Sequence, residues 1–374
     1  MTSLLKPGAS VSLSKEALGA LLDGLRRMGY QPVGPRVREA AIVYDVLESP
    51  DDLPRGYTSE QNAGYYRLIP GDGTNYFDIT PGPQSWKQFL FPPVSEILRA
   101  QREGKNWQLL PVSQEAPALA FVGVRPCELA AIQVQDRVFL RADWQDPVYR
   151  ARRERVFLLA VNCLHPGDTC FCASMGTGPQ AGNGFDLCLT ELEDVFLVEM
   201  GSERGCELMA SLPYQAVREE QRLRAQQELE AARQAMGRHV ADVEGLPDLL
   251  LKHLDARRWQ EVAQRCLSCA NCTQVCPTCF CWDTREVMAL NGKVTHRERV
   301  WDSCFNPDYS YVAGGNSRPS TLARYRQWLI HKFATWKYQF GTSGCVGCGR
   351  CITWCPARID ITEELAAIRQ ESEA

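Results

Sequence analysis

The sequence predicts an α/β domain followed by a mainly α-helical, cysteine-rich domain. Two short apolar runs, at 118–124 and 156–161, enclose helical text, and strand, helix, strand in this order is typical of a parallel α/β unit. Seventeen cysteines are unevenly distributed: none precedes Cys127, and eleven lie between Cys266 and Cys355. A highly charged helical segment at 215–236 leads between the two parts. We place the boundary near residue 250, which divides the chain into 1–250 and 251–374.

Three further segments have recognisable periodicity. Residues 1–30 are predicted to form an amphipathic helix with four leucines on one face. From residue 30 to residue 114 the sequence is rich in proline, glycine and aromatic residues, which favours short strands and loops. Apolar residues recur at three- and four-residue steps from about Ser320 to Phe340, which predicts a long helix. The four leucines are Leu18, Leu21, Leu22 and Leu25.

Composition restricts the class of protein. The chain has 374 residues, of which 45% are hydrophobic and 23% charged, and its net charge is −4. These values are typical of a soluble globular protein and show no basic surplus for nucleic acid. We see no signal peptide and no apolar stretch long enough to span a membrane, so we expect a cytoplasmic protein without a membrane partner. Cytosolic thiols stay reduced, so the cysteines indicate metal rather than disulfides.

Two identical cysteine motifs lie in the second domain. Each has the spacing C-x2-C-x2-C-x3-C and is followed by a proline. A [4Fe–4S] cubane needs four thiolates. Three at two-residue intervals can wrap one cluster, and the fourth, before the proline, ligates the other cluster in two-cluster ferredoxins. The motifs therefore predict two [4Fe–4S] clusters, held by Cys266, Cys269, Cys272 and Cys355 (cluster one) and by Cys345, Cys348, Cys351 and Cys276 (cluster two).

The second domain is consequently predicted to be an α-helical dicluster ferredoxin domain. Gly344, Gly347 and Gly349 flank the second motif and would let backbone amides approach sulfur. A pair of zinc sites is the alternative, because C-x2-C pairs also bind zinc. Zinc uses two separated pairs and has no use for a triplet followed by Cys-Pro. The spacing therefore favours iron–sulfur clusters.

Four cysteines of the first domain form a further candidate site. Cys127 follows the first apolar run, Cys163 follows the second, and Cys170 and Cys172 lie in the next loop. The carboxyl ends of parallel strands meet at one edge of a sheet, where α/β folds place their sites. The four thiols could converge there on a third [4Fe–4S] cluster, or they could be buried packing thiols. The spacing does not decide between these alternatives.

The rest of the chain offers no catalytic group. The loop at 175–184 lacks the G-x-G-x-x-G spacing of a dinucleotide site and is predicted to be a surface loop. The five histidines show no paired spacing, so no catalytic residue is assigned. We interpret the other five cysteines as packing thiols, with a spare-ligand role as the alternative for the first three: Cys279, Cys281, Cys304, Cys188 and Cys206.

Five segments carry a resemblance to a known family. They are VGVRPCELAAIQVQDRVFL, VNCLHPGDTCFCASMGTGP, CPTCFCWD, GGNSRPSTLARYRQWLIHKF and GCVGCGRCITWCPARIDI. In these segments the chain resembles the beta subunits of cytoplasmic NAD(P)-linked [NiFe] sulfhydrogenases, over most of its length from about Leu25. The same segments are similar to the equivalent relay subunit of anaerobic sulfite reductase.

The resemblance implies a role as a non-catalytic electron-transfer subunit of an oxidoreductase complex. Its partners would be a gamma subunit that binds FAD and NAD(P)H, and the small (delta) and large (alpha) subunits of a hydrogenase. In the sulfite reductase alternative the catalytic partner would carry sirohaem. Two other classes are a flavoprotein that reduces its own substrate and a zinc-stabilised scaffold without a redox role.

Overall fold

The computed structural model describes residues 5–71, 73–112 and 115–373. Residues 1–4 of the predicted N-terminal helix lie outside this range. The strands are β1 (Ser10–Ser14), β2 (Gln31–Arg38), β3 (Ala41–Val46), β4 (Tyr57–Asn62), β5 (Tyr65–Pro70), β6 (Val94–Glu103), β7 (Asn106–Leu110), β8 (Leu119–Val124), β9 (Leu140–Arg141), β10 (Trp144–Gln145), β11 (Val156–Val161), β12 (Leu187–Glu191), β13 (Val195–Met200), β14 (Tyr214–Ala216), β15 (Trp282–Met288) and β16 (Val294–Trp301). The helices are α1 (Leu18–Arg27), α2 (Lys87–Leu90), α3 (Pro126–Phe139), α4 (Pro147–Arg153), α5 (Glu203–Ala210), α6 (Glu219–Gln234), α7 (Leu246–Lys252), α8 (Arg257–Arg265), α9 (Asn271–Gln274), α10 (Thr321–Ile330), α11 (Trp336–Phe340), α12 (Arg350–Thr353) and α13 (Ile361–Glu373).

An eight-stranded mixed sheet forms the centre of the first part, in the order β14-β1-β13-β12-β11-β8-β2-β3. Strands β12, β11, β8 and β2 are parallel, and the outer pairings are antiparallel. Every residue of β8 and β11 is buried, which explains why their sequences are continuous apolar runs without alternation. The predicted strands at 118–124 and 156–161, with a helix between them, are present as β8, α3 and β11.

The prediction of a single helix over residues 1–30 is wrong at its start. The stretch Ser10–Ser14 alternates polar and apolar residues, a period of two that suits a strand, and β1 pairs with β13. The helix occupies only Leu18–Arg27. Its four predicted leucines are all fully buried in the core of the first part.

A second sheet joins residues from both sides of position 250. Its order is β15-β16-β6-β7, with all neighbours antiparallel, and β6 pairs with β16 along nearly its whole length. The prediction of an α-helical second domain therefore needs correction in this respect, because the domain also contains the β15–β16 hairpin. Asn291 and Gly292 at the hairpin turn are the residue pair that tight hairpins favour. The division at 250 stays a prediction, and backbone hydrogen bonds of this sheet cross it.

The predicted helix from Ser320 to Phe340 is confirmed, with one irregularity. The Ser320 hydroxyl accepts a hydrogen bond from the Ala323 amide, and the helix ends at Gly341, where φ is +69°. Between α10 and α11 the segment His331–Thr335 forms a π-helical turn, a feature often found at functional sites. Among the described residues, no helix is both long and apolar enough to cross a membrane.

A buried ion pair links the two parts of the chain. Arg350, between two cysteines of the second motif, donates to the Glu128 carboxylate at 2.5 Å, and both side chains are at most 2% exposed. The same carboxylate accepts from the Tyr44 hydroxyl at 2.7 Å and from the Trp86 indole at 3.2 Å. Because a buried charge is tolerated only when it is paired, this network aligns the start of α3 with the second motif.

Candidate metal centre

The first candidate site is a cavity between the first cysteine motif and the end of the second. The four thiols predicted for cluster one all line it: Cys266, Cys269, Cys272 and Cys355. The aromatic side chains of Phe305, Tyr325 and Trp328 form an apolar wall. The crossed pairing predicted from the spacing, three ligands from one motif and one from the other, thus corresponds to a single cavity here.

The second candidate site is a neighbouring cavity with the complementary set. It is lined by Cys276, Cys345, Cys348 and Cys351, the four thiols predicted for cluster two. Cys351 and Trp328 line both cavities, so the two sites are in direct succession. The lining also includes Lys332 from the π-helical turn.

The two motifs form the same local backbone structure. The amide of Ser268 donates to the Cys266 sulfur at 3.5 Å, and the amide of Gly347 donates to the Cys345 sulfur at 3.4 Å. Both donors have a positive φ, +50° for Ser268 and +64° for Gly347. In each case the donor lies two residues after the first cysteine of its motif. This turn directs backbone N–H groups at sulfur, an interaction that stabilises a thiolate.

Unpartnered donors around the cavities fit an iron–sulfur cluster. The Tyr325 hydroxyl and the Trp328 indole N–H are buried, have no hydrogen-bond partner among the described residues, and belong to side chains that line the first cavity. A buried donor without an acceptor costs about 1–3 kcal/mol. The sulfur atoms of a cluster are acceptors, so a cluster held by these cysteines would satisfy donors that the protein leaves free.

Lys332 is the functional residue that sequence analysis missed. Its ammonium group is buried and donates to the Cys276 sulfur at 3.1 Å, the Thr278 hydroxyl at 2.5 Å and the Gly344 carbonyl at 2.9 Å. A hydrogen bond from Cys279 and the charge of Lys332 hold the pKa of Cys276 well below its usual range. Burial opposes the charge of Lys332, but the neighbouring thiolates of Cys276 and Cys279 raise its pKa above the ordinary value.

Three other ligand thiols are held in a medium that disfavours charge. Burial raises the pKa of Cys345 to about 12 and also raises the pKa values of Cys272 and Cys351. A thiol in this state stays protonated at neutral pH unless a metal displaces the proton. Cys276 differs from these three because the ammonium group of Lys332 lies against its sulfur.

A segment of the first domain packs directly on the second motif. The Phe171 amide donates to the Gly347 carbonyl at 2.9 Å, and the Thr169 hydroxyl lies 2.7 Å from that of Thr353. A methyl group on Gly347 would lie 2.6 Å from the Cys172 backbone, so this close approach requires glycine. The T-C-F-C segment at 169–172 therefore sits immediately beside the second cavity.

This contact brings the four cysteines of the first domain to the same place. Burial raises the pKa of Cys170 to about 12, with smaller contributions from the nearby thiols of Cys163 and Cys348. Burial also raises the pKa of Cys172, and the thiols of Cys170 and Cys163 add to this effect. Cys127 packs against Cys172 and Val346 in one apolar cluster. The predicted convergence of these thiols at the strand ends is therefore present, although whether they ligate a cluster stays a prediction.

The loop at 175–184 is not a plain surface loop. The Thr177 hydroxyl donates to the Val346 carbonyl at 2.7 Å, and the Pro179 carbonyl accepts from the Cys163 amide at 3.0 Å. Gly178 lies against Cys172, since a methyl group there would be 2.8 Å from the sulfur. The loop lacks the G-x-G-x-x-G spacing of a nucleotide site, as the sequence indicates. It instead covers cysteines of the first domain, and residue spacing alone does not predict such a contact.

Three cysteines interpreted as packing thiols line one further cavity. Cys279, Cys281 and Cys304 share it, and the Cys304 thiol donates to Cys281, whose pKa this hydrogen bond lowers to about 6. By contrast, Cys188 and Cys206 lie in two apolar clusters of the first part. The signal available in the sequence was a repeat: Thr-Cys-Phe-Cys occurs at 169–172 and again at 278–281.

Comparison with known proteins agrees with this geometry. Residues 265–359 match the 4Fe-4S dicluster domain family. The whole chain is similar to sulfhydrogenase 2 subunit beta of Pyrococcus furiosus, with 35% identity over 365 residues, which covers 96% of this chain and 98% of the relative. The chain belongs to the sulfhydrogenase beta-subunit family. No solved structure matches it at a significant level.

Membership of the sulfhydrogenase beta-subunit family confirms the main interpretation of the sequence. The chain is an iron–sulfur electron-transfer subunit of a hydrogenase family, and the two motifs lie inside the matched dicluster domain. Since the match spans nearly the whole chain, the first domain belongs to the family as much as the cysteine motifs do. The ligand sets themselves stay a prediction, supported by the spacing and by the cavities.

Replacing Gly347 by alanine tests the contact between the first domain and the second motif in this sulfhydrogenase-family subunit. The added methyl group meets the Cys172 backbone, so we expect a lower free energy of unfolding, by about 1–2 kcal/mol for the positive φ and about 1–3 kcal/mol more for the clash. Chemical denaturation measures this loss, and iron content reports on the cavity.

The control is Gly292→Ala in the hairpin turn. Gly292 has almost the same φ, +63° against +64°, but a methyl group there meets nothing within 4 Å. The Gly292→Ala variant therefore has the cost of a positive φ at alanine but no steric clash. Equal destabilisation by the two variants, with full iron in both, would contradict the close contact.

Proposed function

We propose that this chain relays electrons between a flavin subunit and the catalytic module of a soluble [NiFe] hydrogenase. The flavin subunit (gamma) holds FAD and exchanges hydride with NAD(P)H, and the catalytic module consists of a small (delta) and a large (alpha) subunit. The observation that carries the proposal is the direct succession of two cysteine-lined cavities that share Cys351. Support for the hydrogenase context comes from the similarity to a sulfhydrogenase beta subunit.

The ligand sets in this proposal are those of the two cavities. The first is Cys266, Cys269, Cys272 and Cys355, and the second is Cys276, Cys345, Cys348 and Cys351. When bound, the clusters supply one-electron transfer. The protein's own contribution is to exclude water with Phe305, Tyr325 and Trp328, to orient amides toward sulfur, and to stabilise negative charge with Lys332.

The proposal includes a third [4Fe–4S] cluster held by Cys127, Cys163, Cys170 and Cys172. Its support is the convergence of these thiols beside Cys348 and the presence of two buried arginines near them. Arg125 counteracts the effect of burial on the pKa of Cys163, and Arg350, next to Cys348 and Cys127, has one terminal nitrogen without a hydrogen-bond partner among the described residues. Cationic donors of this kind stabilise anionic clusters.

The sulfite reductase alternative uses the same relay with different partners. The two proposals differ only in the catalytic partner, which is a sirohaem subunit in one and a nickel subunit in the other. Co-purification with the chain distinguishes them. The similarity to a sulfhydrogenase subunit favours the hydrogenase. Cytoplasmic location and the absence of a catalytic residue remain part of the proposal.

Substitution Cys269→Ser tests the relay. Loss of one ligand of the first set should strip that cluster and abolish NAD(P)H-linked hydrogenase turnover in the assembled complex, while viologen-linked activity of the catalytic module persists. Activity assays with the two electron donors measure this difference, with Cys206→Ser, a core thiol outside the cavities, as control. Full NAD(P)H-linked turnover in the Cys269 variant would refute the relay.

Substitution Lys332→Met tests the electrostatic role of the buried ammonium. Its charge favours the reduced, more negative cluster, so its removal should lower the reduction potential of the second cluster. A unit charge about 6 Å away at an effective dielectric constant of about 20 gives about 3 kcal/mol, which is about 130 mV for one electron. Potentiometric EPR titration measures the shift. Lys337→Met is the control, since Lys337 is exposed and paired with Glu244; equal shifts in both variants would contradict this role.

Substitution Cys163→Ser tests the third cluster. Two clusters correspond to about eight irons and a third adds about four. We expect the variant to lose about four irons with matching sulfide while the EPR signals of the two ferredoxin-type clusters remain. Iron and sulfide content equal to that of the unmodified chain would remove the third cluster from the proposal.

A further inference from the structure

A cavity of about 520 Å³ beside the second motif is lined by three cysteines that neither ferredoxin motif includes. Cys279 and Cys281 come from the turn after Pro277, and Cys304 comes from the chain beyond the β15–β16 hairpin. The opposite wall is basic and aromatic, formed by Arg318, His331, Lys332, Trp328 and Trp336. Thiols and cations thus face the same space.

The hairpin is what brings these thiols together. Cys281 directly precedes β15, and Cys304 follows three residues after β16. In the ladder Trp282 pairs with Trp301, and the Asp302 amide donates to the Cys281 carbonyl at 3.0 Å, which extends the pairing to the cysteine itself. Cys281 and Cys304 consequently lie at the same end of the hairpin, and both line the cavity.

Two buried lysines beside these thiols have no carboxylate partner. Lys332 lines the cavity, and Lys87 is only 4% exposed and donates to the Gln274 carbonyl at 3.2 Å. In the described part of the chain both bond to carbonyl, hydroxyl or thiol groups and to no carboxylate, and the half-buried Arg318 also lines the cavity. A buried cation needs negative charge near it, and among these groups only the cysteine sulfurs can supply that charge.

An indole donor points to a sulfur acceptor as well. The N–H group of Trp336 is buried and, among the described residues, has no hydrogen-bond partner, and its side chain lines this cavity. Plain packing thiols would leave this donor unsatisfied. A sulfur-rich anionic group would accept from it.

The same tetrapeptide builds both cysteine sites beside the second motif. In Thr169–Cys172 the Phe171 amide binds the Gly347 carbonyl, and in Thr278–Cys281 the Thr278 hydroxyl donates to the Gly344 carbonyl at 2.6 Å. The two segments thus contact the second motif on either side of Cys345. Each presents two thiols, which Cys127 and Cys163 join in one case and Cys304 in the other.

We propose that Cys279, Cys281 and Cys304 ligate a further iron–sulfur cluster, with one iron facing the cavity. Soft thiolates select zinc, copper(I) or iron–sulfur clusters. In residues 5–71, 73–112 and 115–373, no group of three or more histidine, cysteine or carboxylate side chains is placed to hold a single metal ion. A cluster, whose several irons separate its ligand sulfurs, fits a thiol-lined cavity better than one ion does.

This cluster would lie next to the two ferredoxin clusters of the relay. Trp328 lines this cavity and both ferredoxin cavities, and Lys332 lines this cavity and the second one. The site therefore adjoins both ferredoxin cavities. Its role in electron flow rests on the proposed function, but its existence as a cluster does not.

The test is cysteine-resolved alkylation of the anaerobically purified full-length chain, with iron and sulfide analysis. Cluster ligands are protected from iodoacetamide until the iron is removed with a chelator and oxidant. We expect Cys279, Cys281 and Cys304 to be protected in the iron-loaded protein and labelled after iron removal. Labelling of Cys281 and Cys304 at full iron content, or a disulfide between them in the isolated protein, would overturn the proposal.

Variants give a second, independent measurement. Cys304→Ser and Cys281→Ser should each lose about four irons with matching sulfide relative to the unmodified chain, whereas Cys206→Ser loses none. The EPR signals of the ferredoxin-type clusters should remain. Unchanged iron in both variants would overturn the proposal, and if a variant fails to fold the alkylation of the unmodified protein decides. Neither measurement uses NAD(P)H turnover, so failure here is distinct from failure of the relay.

Discussion

Negative charge on buried sulfur is the constraint on which the rest of this structure depends. Ligand thiols must ionise to hold iron, yet burial raises the pKa values of Cys272, Cys345 and Cys351. The chain offsets this with amides directed at sulfur and with buried cations whose partners are not carboxylates, above all Lys332 and Lys87. Folding and cluster binding are therefore coupled: the folded chain places cations beside the ligand sulfurs, and the ligated thiolates neutralise those buried cations.

The second motif is the point at which the parts of the chain meet. Arg350 reaches Glu128 at the start of α3, the Gly347 carbonyl binds the T-C-F-C segment, and the Gly64 amide donates to the Ile352 carbonyl at 3.0 Å. These contacts come from three separate regions of the first 250 residues. The first domain is thus part of the wall around the second cavity and of the site beside it.

Local signals made much of this predictable. The spacing of the eight cysteines favours cubanes over zinc sites, and the runs at 118–124 and 156–161 are too uniformly apolar for surface strands. The apolar residues from Ser320 to Phe340 recur with the period of a helix. Contacts between distant segments were not predictable. Nothing in the sequence near Lys332 indicates that its ammonium group contacts the Cys276 sulfur. The T-C-F-C repeat could not be interpreted from the sequence either, because its role depends on the contact of both copies with the second motif.

The pairing of β6 with β16 affects the order in which the chain can fold. These strands are nearly 200 residues apart in sequence, and Glu128 and Arg350 are separated by 222 residues. Contacts of such long range slow folding, because closing a large loop costs chain entropy before the new contacts can stabilise the structure. A ribosome-bound chain therefore exposes the edge of β6, and a glutamate without its arginine, until residues 294–350 have emerged. The second cysteine motif meets the residues that cover it only after that point.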